Sequence, residues 1–132
     1  MVHSHARNPA VVVVDDDAAV RNSLRFSLEI DGYNVLPYAS AEALLNEEVL
    51  PACACFVIDH NMPGINGLDL VIGLRDENVR APIILITSAP PRNLMNRAIK
   101  LGVQIVEKPL LGEALLDQIQ RLMRRHLIDS RP

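Results

Sequence analysis

Short apolar runs alternate with apolar positions at helical spacing five times along the chain. Residues 11–14 are a continuous run of valine, the pattern of a strand covered on both faces. Residues 18–30 follow, with Val20, Leu24 and Leu28 four apart on one helical face. Asp31-Gly32 breaks that helix. A second strand is predicted over residues 33–37, and Ser40 can cap a second helix holding Ala43, Leu44 and Leu45. Residues 52–58 form the third apolar run. Asn61-Met62-Pro63-Gly64 is rich in turn residues. Leu68, Val71, Ile72 and Arg75 mark a third helix, and residues 83–86 a fourth strand. Pro90-Pro91 opens a fourth helix through Leu94, Ala98 and Leu101, which Gly102 can end. Residues 103–106 are the fifth strand. A last helix over about 111–127 places Leu111, Leu115, Ile119, Leu122 and His126 roughly on one face.

Strands alternating with helices imply a parallel sheet with helices on both faces, because right-handed crossovers pack them there. The fold class expected is therefore α/β, a doubly wound (βα)5 unit. The domain spans residues 10–128, with a flexible segment at 1–9 and a short tail at 129–132.

Composition narrows the class. The 132 residues suit one domain, and 49% hydrophobic against 22% charged residues suits a packed globular chain. A net charge of −3 argues against direct nucleic-acid binding. No apolar run approaches the length of a membrane span, and residues 1–9 lack a secretory apolar core. A cytoplasmic location without membrane contact is the default expectation. Cys53 and Cys55 lie in the third apolar run, where two small core side chains are the simplest reading. A metal or redox pair is the sharper alternative, but a closed zinc site needs a second pair.

In sheets of this kind ligands bind outside the carboxyl ends of the strands. Asp15, Asp16 and Asp17 follow the first strand, Asp59 the third, Thr87 and Ser88 the fourth, and Lys108-Pro109 the fifth. Each has a plain structural reading. Asp17 is most simply a helix N-cap, Asp59 a turn initiator, Thr87 a turn residue and Lys108 a solvated cation. Together on one sheet edge they suit phosphoryl transfer to a carboxylate. Adjacent carboxylates repel unless a cation intervenes, and Mg²⁺ takes one or two carboxylates plus phosphate and water. Asp15 or Asp16, with Asp59, can supply them. A carboxylate can itself be the nucleophile. Lys108 adds positive charge for phosphoryl oxygens, and the Thr87 hydroxyl can donate to one of them.

The motifs Val13-Val14-Asp15-Asp16-Asp17, residues 57–67 around Asp59, Ile84-Leu85-Ile86-Thr87-Ser88 and Glu107-Lys108-Pro109 resemble the receiver domain of bacterial two-component response regulators. The resemblance covers about 11–127. It implies the flavodoxin-like fold with a five-stranded parallel sheet in the order 2-1-3-4-5. It further implies that Asp15 and Asp16 hold Mg²⁺ with Asp59 and the Asn61 backbone carbonyl. By the same resemblance Asp59 is the phosphoacceptor, Thr87 the switch hydroxyl, Lys108 the phosphate-contacting lysine, and Pro109 follows a cis peptide bond. His60 is read as a loop residue beside the site. The implied phosphodonor is a sensor histidine kinase or a histidine phosphotransfer protein. A downstream protein target or output domain, and a homodimer, are further partners the resemblance allows.

Two departures stand out. Ile105 occupies the strand-5 position where the family usually has an aromatic residue, and Pro90-Pro91 stiffens the loop after Thr87. Both favour, mildly, a receiver-like interaction module that is not phosphorylated. A third class, a Mg²⁺-dependent phosphohydrolase, needs an acid where Asn61 stands and usually a cap domain. Only residues 128–132 follow the last helix, so the chain reads either as a stand-alone receiver or as a piece of a longer regulator.

Overall fold

The computed structural model describes residues 9–108 and 114–129. Ten elements alternate: β1 Ala10–Val14, α1 Ala18–Ile30, β2 Asn34–Tyr38, α2 Ala41–Leu45, β3 Cys55–Asp59, α3 Gly67–Asp76, β4 Ile83–Thr87, α4 Arg92–Lys100, β5 Gln104–Glu107 and α5 Ala114–Asp129. The five strands form one parallel sheet in the order β2-β1-β3-β4-β5. This is the architecture expected from the alternation.

The period-2 geometry of the strands sorts their side chains into two layers. Val12, Val14, Phe56, Ile58, Ile83 and Leu85 pack with Ala41, Leu44, Leu68, Leu74, Leu94 and Ala98, which belong to α2, α3 and α4. Val11, Val13, Val57, Ile84 and Ile86 pack with Leu28 of α1 and with Leu115 and Ile119 of α5. β1, β3 and β4 are covered on both faces, which is why they read as unbroken apolar runs. Pro37 lies inside β2, opposite Val13, where an edge strand tolerates the missing donor.

Helix ends follow local chemistry. Asp17 Oδ1 accepts from the amides of Ala19 (2.9 Å) and Val20 (3.3 Å), so its N-cap reading is correct. Ser40 Oγ accepts from Ala43 N–H at 3.0 Å. At the other ends, α1, α3 and α4 close alike: Tyr33 N–H reaches Leu28 O, Val79 N–H reaches Leu74 O, and Val103 N–H reaches Ala98 O, all at 3.0 Å. Gly32, Asn78 and Gly102 supply the positive φ those caps need.

Strand boundaries shift by a residue in most places, and three strands start later than expected. β2 and β5 each begin one residue later, and β3 begins at Cys55 rather than at residue 52. The register explains the third. β1 begins at Ala10, and Val11 faces Cys55; Ala54 N–H still reaches Ala10 O (2.7 Å), but residues 52 and 53 have no β1 residue opposite them. Cys53 consequently falls outside the strand and packs into the α2/α3/α4 layer, whereas Cys55 lies in the opposite layer. Both thiols are free, and burial pushes them up to about 11 at Cys53 and about 12 at Cys55. They are core side chains, not a pair. Leu111 and Pro109, with the Lys108–Pro109 peptide, lie outside the described residues, as does the His126 side chain.

Candidate functional site

The carboxyl ends of β1, β3, β4 and β5 meet at one edge of the sheet, and each delivers a polar side chain there. Asp15 follows β1 and is 2% exposed; Asp59 ends β3 at 4%, and Thr87 ends β4 at 1%. These are the buried polar side chains among the described residues, in a core otherwise apolar. Asp15, Asp16 and Asp59 each present a carboxylate oxygen, and the three atoms lie within 4.8 Å of one another. Lys108 follows β5 and places its Nζ 3.3 Å from Asp59 Oδ1.

Backbone bonds hold these groups still. Asp15 N–H donates to Tyr38 O (3.1 Å), and Lys108 N–H donates to Thr87 O (2.8 Å). Asp17 N–H donates to Asp15 Oδ1 at 2.9 Å. The Arg21 guanidinium, one turn into α1, donates to the Asp15 carbonyl at 2.6 Å. Asn61 N–H donates to Asp59 Oδ1 at 3.2 Å, and the Thr87 hydroxyl donates to Asn61 Oδ1 at 3.2 Å. Gly67 lets α3 start against the end of β3. A methyl there would stand 2.7 Å from the Asp59 carbonyl oxygen and 2.6 Å from His60 Cα.

The electrostatics ask for a cation. Three carboxylates, Asp15 and Asp59 buried and Asp16 exposed, face one ammonium, which leaves two negative charges at the site. Burial, and then the neighbouring Asp59, raise the Asp15 pKa above its ordinary value, against the Asp17 amide that lowers it. A hard divalent ion with oxygen ligands relieves both, and an all-oxygen donor set of this kind fits Mg²⁺.

Asp15, Asp16, Asp59, Asn61, Thr87 and Lys108 are therefore all at this edge, whereas Asp17 caps α1 and Pro109 lies outside the described residues. Two contributors escape sequence reasoning. Arg21 is one arginine on a helix, and its bond to a main-chain carbonyl has no sequence signature. His60 accepts from Leu68 N–H through Nδ1 at 3.3 Å, so it caps α3 rather than merely sitting beside the site. Burial lowers its pKa, in keeping with the neutral acceptor form.

Comparison with known proteins agrees with this geometry. The family described as response regulator receiver domain matches residues 11–120. The transcriptional regulatory protein FixJ of Bradyrhizobium diazoefficiens is 35% identical over 118 residues, 87% of this chain and 57% of that protein. The response regulator protein TodT of Pseudomonas putida is 32% identical, over 92% of this chain and 54% of that protein. The chain thus spans about half the length of these curated relatives. Among solved structures, FixJ-N superposes with a TM-score of 0.77 at 31% identity, covering 89% of this chain and 94% of that one. A CheY-like receiver domain from Methanospirillum hungatei reaches 0.87 at 21% identity, covering 93% and 99%, a likeness of fold. The chain belongs to the response regulator receiver domain family.

Proposed function

We propose that this receiver domain accepts a phosphoryl group on Asp59 from a phosphohistidine, in a Mg²⁺-dependent reaction, and changes conformation as a result. One observation carries the reading. A buried, strand-end carboxylate lies among two further carboxylates, with an ammonium 3.3 Å away. That is the environment in which a carboxylate can act as nucleophile toward an anion.

Asp15, Asp16 and Asp59, with the Asn61 carbonyl, would hold the ion. When bound, Mg²⁺ supplies the positive charge that lets an anionic carboxylate approach an anionic phosphoryl group. An Asp59 oxygen forms the bond to phosphorus as the P–N bond breaks, and the departing imidazole nitrogen keeps its electron pair and takes up a proton. Lys108, already beside Asp59 Oδ1, neutralises a phosphoryl oxygen. The Thr87 hydroxyl exchanges Asn61 Oδ1 for another, and that exchange is the first movement of the switch. The same groups support slow hydrolysis of the aspartyl phosphate; turnover of unrelated phosphate esters is not expected. The donor is a sensor histidine kinase or a histidine phosphotransfer protein in the cytoplasm. The signal passes to an output domain or a separate protein target.

The test is incubation with Mg²⁺ and a small acyl phosphate, followed by intact mass. The wild-type chain is expected to gain one phosphoryl group, and to gain none when Mg²⁺ is chelated before the reaction. Absence of that gain in the folded protein, or an equal gain in Asp59→Asn, contradicts the reading.

A further inference from the structure

The segment from His60 to Leu68 folds back on itself, and His60 closes it. Its carbonyl accepts from Met62 N–H (3.0 Å) and Gly67 N–H (3.1 Å), and its Nδ1 accepts from Leu68 N–H (3.3 Å). Its own N–H is tied to Ile86 O of β4 at 2.8 Å. Gly67 and Leu68 are the first two residues of α3, whose amides have no intrahelical acceptor. The side chain of the N-cap Asn66 serves only the next, Asp69, at 2.9 Å. One residue therefore satisfies two orphan donors of α3 and anchors both to the sheet. The loop so closed carries Asn61, whose N–H meets Asp59 Oδ1 and whose side chain meets the Thr87 hydroxyl.

We propose that His60 is a positioning residue for the cation site: its imidazole, by pinning the start of α3, fixes the loop that presents Asn61. The inference rests on the receiver reading of the site given above. It assigns His60 a role through Asn61, with no contact to the ion or the phosphoryl group. An outer residue of this kind acts by limiting where a ligand can point, and its removal weakens metal binding more than it changes the chemistry.

Asparagine carries an acceptor oxygen close to where Nδ1 stands, and leucine carries none. In Mg²⁺-free protein, hydrogen exchange at the Leu68 amide is expected to speed up about fivefold in His60→Leu, the loss of roughly one hydrogen bond. It is expected to stay near wild type in His60→Asn. Mg²⁺ affinity, read by calorimetry, is expected to fall about tenfold in His60→Leu and to recover in His60→Asn. The rate of phosphorylation by acyl phosphate at saturating Mg²⁺ is expected to stay within twofold of wild type in both. His60→Ala, smaller and also without an acceptor, repeats the measurement should the leucine variant not fold.

Unchanged Leu68 exchange in the leucine or alanine variant overturns the proposal. So does accelerated exchange with undiminished Mg²⁺ affinity, and so does an asparagine variant that protects Leu68 yet binds Mg²⁺ weakly. If the wild-type protein binds no Mg²⁺, the reading of the site fails and the proposal with it. If wild type binds Mg²⁺ and His60→Leu binds it equally, the proposal alone fails.

Discussion

Asp59 has charged neighbours of both signs. Lys108 stabilises its charge, while Asp15 and Asp16 oppose it. A protein in this condition gains stability when a cation binds only the folded state. Mg²⁺ at a hundredfold excess over its dissociation constant is expected to stabilise the fold by about 2.7 kcal/mol, read as a rise in thermal midpoint. Asp15→Asn removes one ligand charge and should lose most of that rise. An equal rise in the variant would mean that the ion binds elsewhere. Gly67 offers a second test at this scale. The Asp59 carbonyl, His60 Cα and Leu85 Cδ1 crowd the space where a methyl would stand. Gly67→Ala is therefore expected to cost about 1–3 kcal/mol in denaturant unfolding. A neutral result would show that α3 can slide away from β3 freely.

At the scale of elements, the loops after the strands decide how the site is held. Between β4 and α4, Ala89 has φ +46, a left-handed conformation unfavourable for alanine. Pro90 and Pro91 follow it, and Pro91 occupies the N-cap of α4 without a side-chain cap bond. The loop next to Thr87 is thus strained as well as stiff. Ala89→Gly is expected to stabilise the fold by about 1 kcal/mol, measured by denaturant midpoint. Destabilisation would show that the strain lies elsewhere. Arg75 ties another set of ends together, donating to the carbonyls of Val79 (2.9 Å), Ala81 (3.0 Å) and Leu101 (3.3 Å). Sequence reading identifies Arg75 only as a residue marking α3, because three carbonyl acceptors from two loops leave no mark in composition or spacing. The strands themselves were legible, since covered β1, β3 and β4 must be apolar throughout. The candidate site was legible for a related reason: Asp15, Asp59, Thr87 and Lys108 stand at the ends of the apolar runs, where a parallel sheet gathers its ligands. His60 and Arg21 were not, because their roles depend on a distant backbone atom. The start of β3 was not either, because it is set by where β1 begins.

At the scale of the molecule, the sheet holds four strand ends in one place and two helix layers keep it rigid. Ile105, at the usual aromatic position, packs half-buried against the α2/α3/α4 layer and faces Leu85 across β4. The register position opposite Leu85, two residues before Thr87, therefore carries an aliphatic side chain and not an aromatic ring. The whole fold also has an alkaline limit. Tyr38 is pushed up to about 12 by burial and its 2.6 Å bond to Glu47, and burial also raises the two thiols, to about 11 at Cys53 and about 12 at Cys55. Groups whose pKa is raised by folding favour the fold below their ordinary values. That contribution is lost as pH climbs from about 9 toward 12. Tyr38→Phe should flatten the part of this loss above pH 10; an unchanged slope would contradict the assignment. The central claim is the phosphorylation of Asp59 itself. Its most direct test is reduction of the Mg²⁺- and acyl-phosphate-treated protein with borohydride, followed by peptide mapping. Homoserine in place of aspartate at position 59 is the expected result. Homoserine at another carboxylate, or unmodified position 59 in folded protein that has taken up phosphate, would contradict it.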